Sequence, residues 1–244
     1  MHLKEENILM TFEDGAVLED YVKASREQPV TAAPIGNHDF KTTTADFGKL
    51  RPLSLLPTLT DFGLSEVVDG DYTSRRAIQP PAYHAPEVLL GIPWSYSADI
   101  WNLGVLIWNL MEGKDLFADL NTNNGKYHPR LHLAQMVTFL GKPPKQLLDR
   151  EREWRHVPYD ERALDGEIIT PCESFGGPFF DEKGEFIFAD LFTTQRRLSD
   201  TVTALEGDEK RSFLDLISRM LRWVPEERES AKELLEHSWL QQEE

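Results

Sequence analysis

The sequence predicts a mainly helical fold with a small β component. Apolar residues recur at helical spacing in several segments of the second half, for example between Phe213 and Leu221. Only two short stretches, residues 8–10 and 55–60, have the length and composition of strands. With 244 residues, of which 40% are hydrophobic and 10% aromatic, the chain is long enough to bury a sizeable core.

The first quarter of the chain is predicted to be less regular than the rest. Ile8, Leu9 and Met10 form a short predicted strand. Residues 13–55 are predicted to be an insert or long loop, because glycine and proline recur there among threonine, alanine and charged residues. Within this insert only residues 17–24 have a helical rhythm, and order is expected to return at residue 55.

The remaining sequence predicts four helices, whose ends are marked by glycine, proline and capping residues. The predicted helices are one that Ser95 or Ser97 caps and Gly113 ends, one over residues 133–140 ending at Gly141, one that begins at Asp208 and is stopped by Pro225, and a last one with a capping box of Ser230 and Glu233 that runs through Trp239. The first of them is apolar almost all round, as expected of a buried central helix. Residues 145–205 are predicted to be irregular.

Charge and cysteine content limit the classes of function. The net charge of −16, from 42 acidic and 26 basic residues, disfavours binding to nucleic acid and anionic membranes and favours binding to basic peptides. The alternative is that the excess acid only keeps the protein soluble. The single cysteine, Cys172, excludes an internal disulfide and a cysteine-cluster metal site. The most apolar stretch, residues 100–111, is too short to cross a bilayer, and the start of the chain has no signal-peptide pattern. We therefore expect a soluble protein of the cytoplasm or nucleus.

Four short motifs follow one another along the chain. They are Leu3-Lys4-Glu5-Glu6-Asn7, Asp61-Phe62-Gly63, Ala85-Pro86-Glu87 and Asp99-Ile100-Trp101. Each motif is weak evidence by itself. A proline turn before a helix would explain Ala85-Pro86-Glu87, and packing in the core would explain Trp101. Asp-Phe-Gly even occurs twice, at Asp46 and at Asp61. The order and spacing of the four motifs carry more information than any one of them.

In this order and at this spacing, the motifs resemble the catalytic loop, metal-binding loop, activation segment and central helix of eukaryotic protein kinases. The resemblance continues to the end of the chain, where Arg228 is similar to the arginine that pairs with the glutamate of Ala-Pro-Glu, here Glu87. It implies structural roles for Glu87, Arg228 and Asp99. It covers almost all of residues 1–244 except the insert, and it implies the mainly helical C-terminal lobe of a protein kinase.

The resemblance also implies ATP and Mg²⁺ as cofactors and assigns residues to them. Asp61 and Asn7 would supply oxygen ligands, which Mg²⁺ prefers. Phe62 and Gly63 belong to the same cofactor-binding loop, and Lys4 would approach the transferring phosphate as a point charge.

Two copies of Asp-Phe-Gly compete for the metal-binding role. In the family, the metal-binding aspartate follows an apolar strand. Residues 55–60 before Asp61 fit that description, whereas three threonines and an alanine precede Asp46. We therefore assign the role to Asp61.

The catalytic aspartate of the family is absent from its expected place. His2 stands there, two residues before Lys4, and only Met1 precedes it. The glycine-rich loop, strand lysine and partner glutamate of the small lobe have no counterpart in this sequence. Either the sequence is a truncated product of a longer kinase gene, or it is a lobe-only protein that works by binding. A histidine can act as a base, but no ordered segment before His2 is expected to position it.

An insert between Asn7 and Asp61 is a feature of SR-protein kinases. Residues 78–83, 113–117, 140–144 and 178–184 also resemble that group, particularly its fungal members. The group phosphorylates serines in Arg-Ser-rich splicing factors and holds the arginines in an acidic groove. This sequence departs from the group where those acidic residues occur, with Pro129, Arg130, Leu131 and Thr138.

Two functions of different classes remain open. One is ATP-dependent phosphoryl transfer to protein serine or threonine, performed by the complete family member, with this chain an incomplete and inactive domain. The other is a non-catalytic, pseudokinase-like lobe that binds partner proteins. Both predict a protein substrate or partner, with one rich in Arg and Ser as a candidate, and neither predicts nucleic acid or a membrane.

Overall fold

A computed structural model describes residues 3–12, 14–27, 33–35, 38–40, 47, 56–66, 73–158, 169–192 and 196–241. The chain divides into two compact units. Residues 6–60 form the insert unit, and residues 1–5 together with 61–244 form the main unit. The described residues contain no helix that is both long and apolar enough to span a membrane.

The insert unit contains one helix and two pairs of short antiparallel strands. Its elements are β1 (Ile8–Met10), α1 (Gly15–Glu27), β2 (Ala33–Ile35), β3 (His38–Phe40) and β4 (Pro57–Leu59). Strand β1 pairs with β4, and β2 pairs with β3. The carboxylate of Asp14 accepts hydrogen bonds from the backbone N–H groups of Ala16 and Val17, which satisfies donors that the first turn of α1 leaves open.

Sequence reasoning predicted the insert only in part. The strand over residues 8–10 is confirmed, and β4 lies within the stretch predicted to be extended. The helical rhythm of residues 17–24 belongs to the longer α1. The hairpin of β2 and β3 was not predicted, because three-residue strands are too short to show an alternating pattern.

The described residues of the main unit form helices that are joined by loops and turns. Its α-helices are α2 (Pro86–Leu89), α3 (Ser97–Glu112), α4 (Pro129–Leu140), α5 (Lys145–Trp154), α6 (Pro171–Ser174), α7 (Leu198–Thr201), α8 (Gly207–Met220) and α9 (Ala231–Leu235). Short 3₁₀ turns occur at Phe62–Leu64, Pro81–Tyr83, Ala189–Leu191 and Pro225–Glu227. The mainly helical class with a small β component is therefore confirmed.

Helix α3 is the centre of the main unit. Its Trp101 and Trp108 are almost fully buried in the principal apolar cluster. Gly104 lies where α3 approaches α8 most closely, since a Cβ atom there would fall 2.9 Å from side-chain atoms of Met220 and Leu221. Leu110 is exposed, however, so the helix is buried on most of its circumference rather than all round.

The predicted helix ends are partly wrong. Neither Ser95 nor Ser97 caps α3 with its side chain: the residue before the helix is Tyr96, and Ser97 is already helical. Helix α8 ends at Met220, ahead of Pro225, and α9 ends at Leu235, ahead of Trp239. Gly113, in contrast, ends α3 with a left-handed φ of 63°, and the Ser230–Glu233 capping box is present.

The prediction that residues 145–205 are irregular is wrong for the segments that form α5, α6 and α7. In α5 the buried positions are Leu147, Leu148 and Glu151, and Glu151 pairs with Arg155 at 2.6 Å. Because a carboxylate occupies a position where apolar spacing would show a hydrophobic residue, the helix was not visible from hydrophobic periodicity.

Candidate functional site

The segment that carries Lys4 is held by the central helix. The side chain of Leu3 is buried, and its backbone carbonyl accepts a hydrogen bond of 3.3 Å from the amide of Asn102 in α3. Asn102 is fully buried. Lys4, the next residue, is half-buried. The connection between α3 and this loop was not predicted, because no sequence pattern links Asn102 to the start of the chain.

Asp61 adopts a left-handed conformation, with φ 60° and ψ 63°. Residues other than glycine rarely adopt it, although aspartate tolerates it better than most. Asp61 precedes the 3₁₀ turn Phe62–Leu64 but does not cap it with its side chain. Unusual backbone angles of this kind are concentrated at functional sites. The exposed Asp61 carboxylate is therefore available as an oxygen ligand.

The neighbours of Asp61 are also exposed. Phe62 has 58% of its surface accessible. A Cβ atom on Gly63 would lie 3.6 Å from Oδ1 of Asp61, an ordinary contact, so local packing does not require glycine there. The predicted grouping of these residues in one loop is thus present, while their contribution to nucleotide binding stays a prediction.

Asn7 belongs to the insert unit. Its backbone carbonyl accepts hydrogen bonds from the backbone N–H of Thr60 at 2.9 Å and from the Thr60 hydroxyl at 3.1 Å, and its side chain is buried. Asn7 and Asp61, the two predicted metal ligands, therefore lie in different units, and each is considered within its own unit. Both side chains offer the oxygen donors that Mg²⁺ prefers. The described residues contain no group of three or more His, Cys, Asp or Glu side chains that could hold a metal ion.

His2, assigned to the place of the catalytic aspartate, lies outside the described residues. The competing Asp-Phe-Gly copy is described only at Phe47. That ring packs against Phe12 and Tyr21 in the insert unit, with centroid distances of 4.9 and 4.6 Å. Phe47 thus has a packing role that accounts for it without a metal site.

Glu87 and Arg228 form a buried ion pair. Two parallel hydrogen bonds of 2.6 Å join the guanidinium to the carboxylate, and both side chains are inaccessible to solvent. Arg228 also donates to the backbone carbonyls of Ser97 and Arg222. Its guanidinium lies 5.2 Å from the centre of the Trp101 ring. This arrangement uses most of the donors of the arginine, which a buried guanidinium requires.

The pair connects three distant parts of the main unit. Glu87 lies in α2, Ser97 begins α3, and Arg228 follows the 3₁₀ turn Pro225–Glu227. Asp99, the third residue assigned a structural role, lies half-buried in the first turn of α3, where a carboxylate is favoured by the helix dipole.

Gln79 is a residue that sequence reasoning missed. It has a left-handed φ of 74° and is buried. Its amide nitrogen donates to the carbonyl of Ala98 at 2.9 Å, and its amide oxygen accepts from the N–H of Ala85 at 2.7 Å. Gln79 thereby fastens the segment ahead of α2 to the start of α3. Its position before Pro80 and Pro81 gave no sign of this role.

A cavity of about 370 Å³ opens between α3, α4 and the segment that follows α3. Leu131 and Thr138, two residues noted as departures from an acidic groove, line it. Arg130 does not, because its guanidinium donates to the carbonyl of Gly176. The charged lining residues are of both signs: Lys114, Asp115, Asp119 and Arg196. The cavity is therefore not an acidic groove.

Comparison with known proteins identifies the family. The protein kinase domain matches residues 54–240, a range that includes Asp61, Glu87, Asp99 and Arg228. The chain belongs to the protein kinase domain family. Lys4 and Asn7 lie before the matched range.

Individual relatives agree with this family. A serine/threonine protein kinase of Aspergillus fumigatus is 37% identical over 188 residues, which are 76% of this chain and 40% of that protein. The serine/threonine-protein kinase SKY1 of Saccharomyces cerevisiae is 30% identical over 75% of this chain and 21% of its own length. AFC1, a serine/threonine-protein kinase of Arabidopsis thaliana, is 28% identical over 96% of this chain and 43% of its own length. The chain thus spans less than half the length of these relatives.

A solved kinase domain has a similar fold. It superposes with a TM-score of 0.54 over 75% of this chain and 47% of its own, at 22% sequence identity. At that identity the likeness concerns the fold.

Proposed function

We propose that this chain is part of a serine/threonine protein kinase of the SR-protein-kinase type. The observation that carries the proposal is that the range matched to the kinase family contains Asp61, Glu87, Asp99 and Arg228 in order, with Glu87 and Arg228 joined in the fold. The 37% identity with a fungal serine/threonine kinase supports the serine/threonine class. The position of the insert unit supports the SR-protein-kinase type.

In this proposal the motif residues bind ATP and Mg²⁺. Mg²⁺, when bound, offsets the negative charge that the phosphates develop during transfer. Asp61 and Asn7 would hold the metal, Phe62 and Gly63 would border the nucleotide, and Lys4 would contact the transferring phosphate. Asp61 combines a left-handed backbone with an exposed side chain, and the hydrogen bond from Asn102 fixes the loop ahead of Lys4.

The proposed substrate is a protein serine or threonine, without a requirement for Arg-Ser repeats. An acidic groove selects arginine by charge complementarity. The cavity beside α4 carries charges of both signs instead, and Leu131 and Thr138 contribute no carboxylate. We therefore expect an Arg-Ser peptide to hold no advantage over a serine peptide with few arginines.

We propose further that the 244-residue chain transfers no phosphate by itself. His2 stands where the family has an aspartate, and loss of a positioned general base typically costs about 10²- to 10⁴-fold in rate. The glycine-rich loop and the strand lysine that position ATP in the family have no counterpart in this sequence. Their lack would lower the rate further, since positioning supplies much of the rate of phosphoryl transfer.

The test compares the chain with a chimaera. In the chimaera, the part of the Aspergillus kinase that precedes its own counterpart of Lys4, including its catalytic-loop residue, is placed ahead of Lys4. Transfer of labelled phosphate to a serine peptide is measured for both proteins and for the chimaera with Asp61→Ala. We expect activity from the chimaera alone. Activity of the isolated chain that Asp61→Ala abolishes would overturn the proposed inactivity.

The alternative function, a non-catalytic binding lobe, predicts a different result. The chimaera would remain inactive although folded, and ATP with Mg²⁺ would not raise its melting temperature. A melting temperature that rises with ATP and Mg²⁺, and no longer does so after Asp61→Ala, would support the kinase assignment even before a good substrate is found.

A further inference from the structure

Three side chains of the main unit form a hydrogen-bonded chain that no motif predicted. The Tyr127 hydroxyl lies 3.1 Å from Nδ1 of His84 and 2.7 Å from Nδ1 of His132. His84 directly precedes Ala85, and His132 lies in α4. Both imidazoles are buried, His132 completely. The three residues, which we call the His–Tyr–His cluster, therefore join the segment ahead of α2 to α4.

The hydroxyl has a single proton, so it donates to one imidazole and accepts from the other. When both rings are neutral, one of the two Nδ1 atoms therefore carries a proton. Nε2 of His132 is buried and has no hydrogen-bond partner among the described residues. An unpaired buried N–H is rarer in proteins than an unpaired acceptor. The neutral cluster thus favours a His132 that is protonated at Nδ1 and donates to Tyr127, which in turn donates to His84.

Two members of the cluster resist a change of charge. Burial lowers the pKa of His132 well below its ordinary value, and the nearby His84 adds to this effect. Burial also raises the pKa of Tyr127, which keeps the hydroxyl protonated. Aromatic rings contact both imidazoles, Phe175 at 5.1 Å from His84 and Phe117 at 4.4 Å from His132.

The charged groups on the adjoining helices have partners elsewhere. In α4, Arg130 is directed to the carbonyl of Gly176 and to the ring of Phe188. In α6, Glu173 accepts a hydrogen bond from the N–H of Thr170. Arg130 and Glu173 are thus engaged by groups outside the cluster.

We propose that the His–Tyr–His cluster is a proton-operated relay between the segment ahead of α2 and α4. A proton from solvent makes both nitrogens of His84 donors, so the Tyr127 hydroxyl must turn to donate to Nδ1 of His132. His132 then loses its Nδ1 proton to solvent and takes one from solvent at Nε2, so the proton added to His84 is the net gain of the cluster. The new N–H has no partner, and acid therefore weakens the packing of α4 around His132. This inference does not depend on the proposed kinase activity.

The test is histidine nitrogen NMR of the whole chain, which distinguishes the two neutral tautomers and the cation of each ring. Signals are assigned with His84→Gln and His132→Gln, and spectra are recorded from about pH 8 to about pH 5, a range that spans the ordinary pKa of histidine. We expect His132 to change from the Nδ1–H to the Nε2–H tautomer with the same midpoint at which His84 becomes a cation.

Tyr127→Phe removes the hydroxyl while keeping the ring, and we expect it to abolish the tautomer change of His132. Tyr96→Phe is the matched control, since Tyr96 is 62% exposed, and it should leave the change intact. The proposal is overturned if His84 stays neutral over this range, or if His132 keeps one tautomer while His84 titrates. If Tyr127→Phe does not fold, the wild-type titration decides by itself.

Discussion

The carboxylate of Glu112, at the end of α3, accepts hydrogen bonds from both the N–H and the hydroxyl of Thr203, at 2.7 and 2.6 Å. The N–H of Ala204 donates to the same carboxylate at 2.9 Å. Lys114 lies 3.3 Å away, and the Glu112 side chain is inaccessible to solvent. One acidic side chain thereby fastens the segment after α7 to the central helix.

Glu112→Gln is expected to destabilise the main unit at neutral pH. Burial raises the pKa of Glu112, but the hydrogen bonds from Ala204 and Thr203, with Lys114, outweigh it and lower the pKa to about 2. Hydrogen bonds to a charged group are worth about 1.5–3 kcal/mol, and the substitution should cost a similar amount in urea unfolding. Glu153→Gln, at an exposed position of α5, is the control and should change little.

The same pKa shift sets a pH window. Because the folded-state pKa lies below the ordinary value of 4.5, the stabilisation is complete above pH 4.5 and is lost as the pH falls toward about 2. The difference in unfolding free energy between the wild type and Glu112→Gln should therefore shrink over that range. A difference that stays constant would show that the charge of Glu112 contributes nothing.

Arg228→Ala is expected to cost about 3–5 kcal/mol, because it leaves the Glu87 carboxylate buried without a cation. The melting temperature should fall far more than with Arg222→Ala, whose side chain is exposed, or Arg219→Ala, whose ion pairs are partly exposed. Replacing both partners, as in Glu87→Leu with Arg228→Met, should recover part of the loss. Similar small effects for all three alanine variants would contradict this account of the pair.

His132 is expected to make the chain less stable in mild acid. Its folded-state pKa is well below the ordinary 6.5, so below pH 6.5 the unfolded chain binds a proton that the folded chain does not. Unfolding free energy should fall by up to about 1.4 kcal/mol per pH unit from this residue. His132→Gln should flatten the pH dependence measured by urea unfolding, whereas His156→Gln, at an exposed position, should not.

The paired strands β1 and β4 present apolar side chains to solvent: Leu9 is 55%, Met10 53%, Leu56 67% and Leu59 40% exposed. Several large apolar side chains exposed within a few residues of one another favour association. We expect the chain to bind the dye ANS and to self-associate as its concentration rises, as measured by sedimentation.

Met10→Thr combined with Leu56→Thr should lower both dye binding and self-association. Leu110→Gln is the matched control, because Leu110 is 62% exposed but lies on α3 in the main unit. Equal effects from the two sets would show that this strand surface is not responsible.

Helices with regular apolar spacing were predictable, while features made by polar groups were not. The helical spacing of the apolar residues in 133–140 and 213–220 predicts α4 and α8. Helix α5 was missed because Glu151 occupies a core position and is neutralised by Arg155, which only the fold reveals.

The candidate site shows the same division. Motif order singled out Glu87 and Arg228 through a family resemblance, and the fold brings them together. Gln79 and Asn102 were missed, because each acts through hydrogen bonds to backbone groups far away in sequence. Such bonds depend on the final packing, and no local pattern of residue types encodes them.

The pairing of Glu87 with Arg228 spans 141 residues, and the bond from Asn102 to Leu3 spans 99. Contacts this remote in sequence slow folding, because long loops must close before the contacts form. During synthesis, the carboxylate of Glu87 cannot be neutralised by Arg228 until residue 228 has left the ribosome. The stretch around α2 and α3 is therefore expected to stay incompletely packed during synthesis, and partly folded chains of this kind are prone to aggregate.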